Sequence, residues 1–273
     1  MARLIKIQDK DMQACIAPEN GGMLAQLSVQ GTDLFKLDEA MLDISPMTAG
    51  GCPVLFPFAG RLPEDSYNLS AKKFYMPVHG LVKNAAFAVE KQCADTVLLR
   101  RCSCASEQEA NYPFAYTLEL EYRIEWPALL AIARITNHSS QPMPHAMGWH
   151  PYFKASNKHA LVLQHTARQH YDYYTCTDFA APREIDLAQR WDDVFHDSEN
   201  RSYTLENLPD GYKVNCIVDG KQPVLVVCTT LEGAVCIEPW TAFPDPLKAD
   251  RYLQWVQPSQ VQELRFELVP SVL

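Results

Sequence analysis

The chain has 273 residues, 47% hydrophobic and 21% charged, enough apolar side chains for a sizeable core and too ordinary a charge content for disorder. Its 33 acidic and 24 basic residues leave a formal net charge of −9, which argues against a nucleic-acid or anionic-membrane partner because phosphates attract basic stripes. Nine scattered cysteines, and no signal-peptide-length apolar run at the start, predict reduced thiols and a cytoplasmic location.

In chain order, "RLIKIQD" near the start alternates apolar and polar residues, the pattern of a strand with one wet face. The turn signal "ENGG" follows at 19–22, then "QGTD" at 30–33. At 49–62, "AGGCPVLFPFAGRL" breaks the pattern. Pro57 lacks a ladder donor, so "PVLFPF" reads as an edge strand rather than a central one. Arg61 at its end is either a solvated cation or a residue aimed into a pocket. "MPVHGLVKN" at 76–84 sets His79 before Gly80 on a loop or strand end, where it is either a surface histidine or a ligand contact. Cys102 and Cys104 share one strand face, but no second pair with ligand spacing follows; the cysteines are expected to be buried or half-buried structural thiols, and no metal is expected.

A short helix is expected near 105–111. Residues 114–126, "FAYTLELEYRIEW", give the clearest alternation, with Phe114, Tyr116, Leu118, Leu120, Tyr122, Ile124 and Trp126 on one face. "HAMGWHPYFK" at 145–154 surrounds His150 with Trp149, Tyr152 and Phe153, flat surfaces of the kind on which sugars stack. His145 and His150 are five apart, which fits neither a zinc helix motif nor one strand face. Residues 184–195, "EIDLAQRWDDVF", are the best helix candidate. "GAVCIEPWTAFPD" at 233–245 runs an apolar strand into Glu238, where burial would raise the carboxyl pKa from about 4.3 and suit it to general-base work; a salt-bridged structural Glu is the plainer alternative. "ELRFEL" closes the chain with Leu264, Phe266 and Leu268 on one face. Strands at this spacing, without alternating long helices, predict an all-β sandwich, read as a single domain over 1–273.

Taken together, GG-x-PVLFPF-x-GRL, HGL-x-KN, GWHPYF and EPWT-x-x-PD resemble the aldose 1-epimerases of the galactose-mutarotase-like superfamily, over nearly the whole chain. The resemblance is closer to the broad aldose 1-epimerase branch than to the galactose-specific branch, whose histidine motif is Asn-rich. It implies a large antiparallel β-supersandwich and interconversion of the α and β anomers of a free aldose, with no cofactor and no metal. The partner would be a small-molecule sugar, and the protein a monomer or homodimer.

By the same resemblance His150 is the general acid, Glu238 the general base, and His79 a contact to sugar hydroxyls that helps at the ring oxygen. Arg61 would bind hydroxyls, and a sugar-gripping Asp would fall in "RWDDVF", with Asp193 preferred to Asp192. Trp149 and Tyr152 would bind substrate through their rings. A neighbouring Glu238 should favour protonated His150 and move its pKa up from about 6.5. Arg61, Lys83 and Lys154 keep open a hexose-6-phosphate 1-epimerase, through charge-assisted bonds to phosphate. A non-catalytic sugar-binding protein on the same fold is the other alternative, and a uronic-sugar lyase a more distant one.

Overall fold

The computed structural model describes residues 3–37, 49–172, 175–244, 247 and 251–273. Asp245, which ends the last quoted motif, lies outside the described residues.

Two antiparallel sheets dominate. The first runs, in spatial order, through Leu161–Gln164, Ser202–Asn207, Tyr212–Val218, Val261–Val272, Ala128–Asn137, Tyr116–Glu125, Thr96–Cys102 and Ala88–Gln92. The second runs through Thr177–Ala180, Ala167–Asp172, Asp192–Ser198, Val224–Cys228, Ala234–Trp240, Gly148–Trp149 and Val54–Leu55, with Tyr152–Lys154 also paired to Ala234–Trp240. A four-stranded sheet begins with Ile5–Asp9 and Met12–Ala17. The architecture is the expected antiparallel β-sandwich.

The period-two segments fold as read. Tyr116, Leu118, Leu120, Tyr122 and Ile124 all turn into the core, and the strand pairs residue for residue with Ala128–Asn137. Leu264, Phe266 and Leu268 do the same from the chain's end. The expected edge character of "PVLFPF" is also seen: only Val54 and Leu55 make ladder pairs, and Phe56 and Phe58 make isolated bridges. The short helix is Ala105–Ala110.

The helix expected over 184–195 does not form. Asp192–Ser198 is a strand, its backbone bonded on one side to Ala167–Asp172 and on the other to Val224–Cys228. Val194 and Phe195 are adjacent in sequence and both buried, one on each face of the sheet. A strand between two neighbours satisfies both, which a helix with one apolar stripe would not.

The second sheet's two faces have different jobs. Val235, Ile237, Val227 and Phe195 join the main core, where Trp149 meets Phe266 of the first sheet at 5.7 Å between ring centroids. Cys236, Glu238 and Trp240 alternate onto the other face. Val194, Val224, Val226 and Trp240 pack there in a smaller cluster with Phe243. The inter-sheet core therefore fixes the strands, and the opposite face carries the polar constellation.

Candidate active site

Glu238 lies on an interior strand of the second sheet and is only 2% exposed. Two groups hold its carboxyl. Trp240 Nε1 donates to Oε2 at 3.1 Å, and His150 Nε2 lies 3.2 Å from Oε1. His150 itself reaches in from the short connection between Gly148–Trp149 and Tyr152–Lys154. Tyr152 backs it, with the rings stacked 4.4 Å apart at 12° and the hydroxyl 3.4 Å from Nε2. His79 meets His150 edge-on at 5.2 Å and the Trp240 ring at 6.3 Å.

The sequence builds this geometry with two glycines. A Cβ on Gly148 would sit 2.3 Å from Trp240 Cδ1, so only glycine lets the indole lie across that strand and reach Glu238. Gly80 has φ +82, and a Cβ there would meet the Phe56 carbonyl oxygen at 2.2 Å. That close approach places His79, itself at φ +66, against the Gly60 backbone. Gly60 N–H donates to His79 Nδ1 at 3.2 Å, and His79 N–H donates to the Gly60 carbonyl at 2.8 Å. An Nδ1 that accepts leaves the proton on Nε2, so this network assigns His79 as a neutral hydrogen-bond donor.

Electrostatics agree with that assignment. Burial, reinforced by the nearby Lys83 and Arg61 cations, lowers the His79 pKa to about 3. Burial also pushes Glu238 well above the usual carboxylate range, with Cys228 and Asp192 adding to it and the Trp240 N–H opposing it. His150 is pushed well below the usual imidazole value by burial, then by His79 and Lys83. The expectation that Glu238 would raise the His150 pKa is thus reversed: the desolvation of a wholly enclosed imidazole outweighs its partner. Both members of the pair favour their neutral forms, with one proton between Oε1 and Nε2. A protonated Oε1 donating to Nε2 leaves Oε2 to accept from Trp240, which matches the bonds seen.

The expected site residues divide. His150, Glu238, His79 and Tyr152 come together. Arg61 follows Gly60, close enough to act on His79, but its side chain is 66% exposed and paired with Asp65 at 2.8 Å. Trp149 is 1% exposed and faces the inter-sheet core, so it offers no ring to a ligand. Asp193 also points away: it is on the Phe195 face of its strand and bonds His170 at 3.0 Å. Asp192 is the one that shares a face with Glu238, opposite Cys228 in the register, and burial raises its pKa. The choice between these neighbours turned on strand parity, which a helical reading of 184–195 obscured.

Lys154 pairs with Asp210 at 3.5 Å, leaving Arg61 and Lys83 as the cations near His79. The expectation for Cys102 and Cys104 is overturned: both are exposed, because the strand ends at Cys102 and Cys104 caps the short helix, whereas Cys52, Cys216 and Cys236 are buried. Cys93 and Cys176 are exposed too. Sequence reasoning missed two features of the site face. One is Trp240 as the donor to Glu238, readable only from its i+2 spacing once the strand is known. The other is the thiol pair Cys228 and Cys236, directly opposed across two strands beside Glu238. A hydrogen bond from Cys236 brings the Cys228 pKa down to about 6, while burial pushes Cys236 up. Among the described residues no helix is long and apolar enough to cross a membrane.

Comparison with known proteins agrees with the fold. A solved Synechocystis structure matches with TM-score 0.93 at 24% identity, covering 100% of this chain and 97% of its own. A galactose mutarotase related enzyme from Lactobacillus acidophilus matches with TM-score 0.84 at 18% identity, covering 98% of this chain and 97% of its own. A galactose mutarotase-like protein from Lactobacillus casei matches with TM-score 0.86 at 20% identity, covering 98% of this chain and 100% of its own. No curated protein matches the sequence significantly. The family model for aldose 1-epimerase matches residues 3–245, and the chain belongs to that family.

Proposed function

We propose that the protein interconverts the α and β anomers of a free aldose by general acid–base ring opening and reclosure. The observation that carries this reading is the enclosed His150–Glu238 pair, 3.2 Å apart. A cyclic aldose is a hemiacetal whose hydroxyl oxygen O1 and ring oxygen O5 sit on the same carbon. Opening removes the proton from O1, gives one to O5 and breaks the C1–O5 bond. An acid and a base already within hydrogen-bond distance of each other suit two oxygens on one carbon.

With the shared proton on His150, Glu238 takes the O1 proton and His150 protonates O5. Opening then leaves neutral His150 and protonated Glu238, the directions in which burial pushes each group. The costly buried ion pair is discharged as the ring opens. Rotation about C1–C2 presents the other face of the aldehyde. On reclosure Glu238 returns its proton to O1, His150 recovers one from O5, and the proton count is unchanged. Each positioned group contributes roughly 10²–10⁴-fold. His79, neutral at physiological pH, donates from Nε2–H to a sugar oxygen rather than acting as the acid. Asp192 replaces Asp193 as the candidate sugar-gripping carboxylate.

The second reading is a hexose 6-phosphate as substrate, favoured by Arg61 and Lys83 beside His79. Anomer interconversion of glucose, galactose and hexose 6-phosphates, followed by one-dimensional proton NMR, tests both. Acceleration of a free sugar is expected. Acceleration confined to phosphorylated sugars would move the assignment to the second reading, and no acceleration with retained binding would move it to a sugar-binding protein.

A further inference from the structure

The reaction above uses no thiol, yet two thiols lie beside the acid–base pair. Cys236 is two residues before Glu238 on the same strand face, and Cys228 is its direct cross-strand partner. The strand register fixes both side chains on the face that His150 enters. His150, Cys236 and Glu238 each bring one donor atom to within 4.8 Å of the others, all three residues being buried. Cys228 hydrogen-bonds the Cys236 thiol and approaches closely enough to influence the Glu238 charge.

We propose that His150 Nε2, Cys236 Sγ and a Glu238 carboxylate oxygen form a site for one soft divalent cation of the zinc class, with the Cys228 thiol as the supporting partner of Cys236, and that occupancy blocks the acid–base pair. A thiolate, an imidazole and a carboxylate are donor types zinc takes, with water completing a four-coordinate site. Zinc–sulfur bonds of about 2.3 Å and zinc–nitrogen bonds of about 2.0 Å put donors around one ion roughly 3.3–3.8 Å apart. His150 and Glu238 are already that close at 3.2 Å, and Cys236 lies within 4.8 Å of both, a gap of at most about an ångström that side-chain rotation closes. The Cys236 thiol proton and the proton held between His150 and Glu238 pass to solvent as the bonds to the metal form. The binding stands on the cluster's geometry, and only its consequence, inhibition, rests on the epimerase reading.

The experiment titrates metal-stripped protein with zinc chloride by calorimetry, and with cobalt chloride by visible and near-ultraviolet absorption. One equivalent should bind, with an intense thiolate-to-cobalt charge-transfer band. Cys228→Ser and Cys236→Ser should each weaken binding by at least the roughly 10–100-fold that supporting partners of metal ligands are worth. Both variants should keep metal-free mutarotation. Cys228, at the less buried position, supplies the decisive variant if Cys236→Ser fails to fold. In wild type one equivalent of zinc should abolish mutarotation, and a chelator should restore it. Absence of the charge-transfer band, or unchanged zinc affinity in Cys228→Ser, would overturn the site. Metal binding with no mutarotation of any sugar would keep the site and refute the epimerase reading instead.

Discussion

His79 should make the fold acid-sensitive by a predictable amount. Its pKa is about 3 in the folded protein and about 6.5 in the unfolded chain. Between those values the unfolded state binds more protons, so stability falls as pH drops through 6.5 toward 3. From pH 7 to pH 5 the loss is about 2 kcal/mol, because each unit of pH below the unfolded value costs about 1.4 kcal/mol while the folded imidazole stays neutral. His79→Asn isolates it. Asn tolerates the left-handed φ of +66 and offers an acceptor to Gly60 N–H. Urea unfolding of wild type and variant at pH 7, 6 and 5 gives both slopes. The wild type should lose about 2 kcal/mol more than the variant. Parallel pH profiles would refute the buried, neutral assignment of His79 and with it the donor role.

Three more perturbations probe the site. Trp240→Phe removes the N–H that favours the Glu238 carboxylate, so the pKa of Glu238 should rise further and the alkaline limb of the kcat/KM profile, where the pair loses its one proton, should move to higher pH. Asp192→Asn should raise KM with little effect on stability, whereas Asp193→Asn should change thermal stability through lost pairing with His170 and leave KM alone; steady-state rates and thermal melts on both variants check the split. Gly148→Ala should push the Trp240 indole off its strand, destabilise the protein by about 1–3 kcal/mol and cut the mutarotation rate, as read by denaturant melts and NMR.

The strands were readable in the sequence wherever one face is wet, since Tyr116 to Ile124 and Leu264 to Leu268 carry the alternation on their own. The site residues on loops were readable as departures from it: His79 before Gly80, and His150 among glycine, proline and aromatic rings. What the sequence hid follows from burial on both sides. Asp192–Ser198 is covered on each face, so Val194 and Phe195 blur the period of two and a helix reads as well as a strand. Parity is lost with it, so the sequence alone does not tell Asp192 from Asp193. Trp149 and Trp240 are equally aromatic in sequence, and only the sheet tells that one faces Phe266 in the core and the other faces Glu238. The pKa direction of His150 likewise needed the depth of its burial, which opposes the charge of its neighbour.

The most direct measurement is the proton-NMR rate of anomer interconversion for wild type, Glu238→Gln, His150→Asn and the double variant, each shown folded by its melt. A pair that moves one proton as a unit predicts that each single variant loses at least about 10²-fold and that the double variant loses little more. Wild-type rates in either single variant, or losses that multiply in the double variant, would contradict a shared-proton pair at the centre of the site.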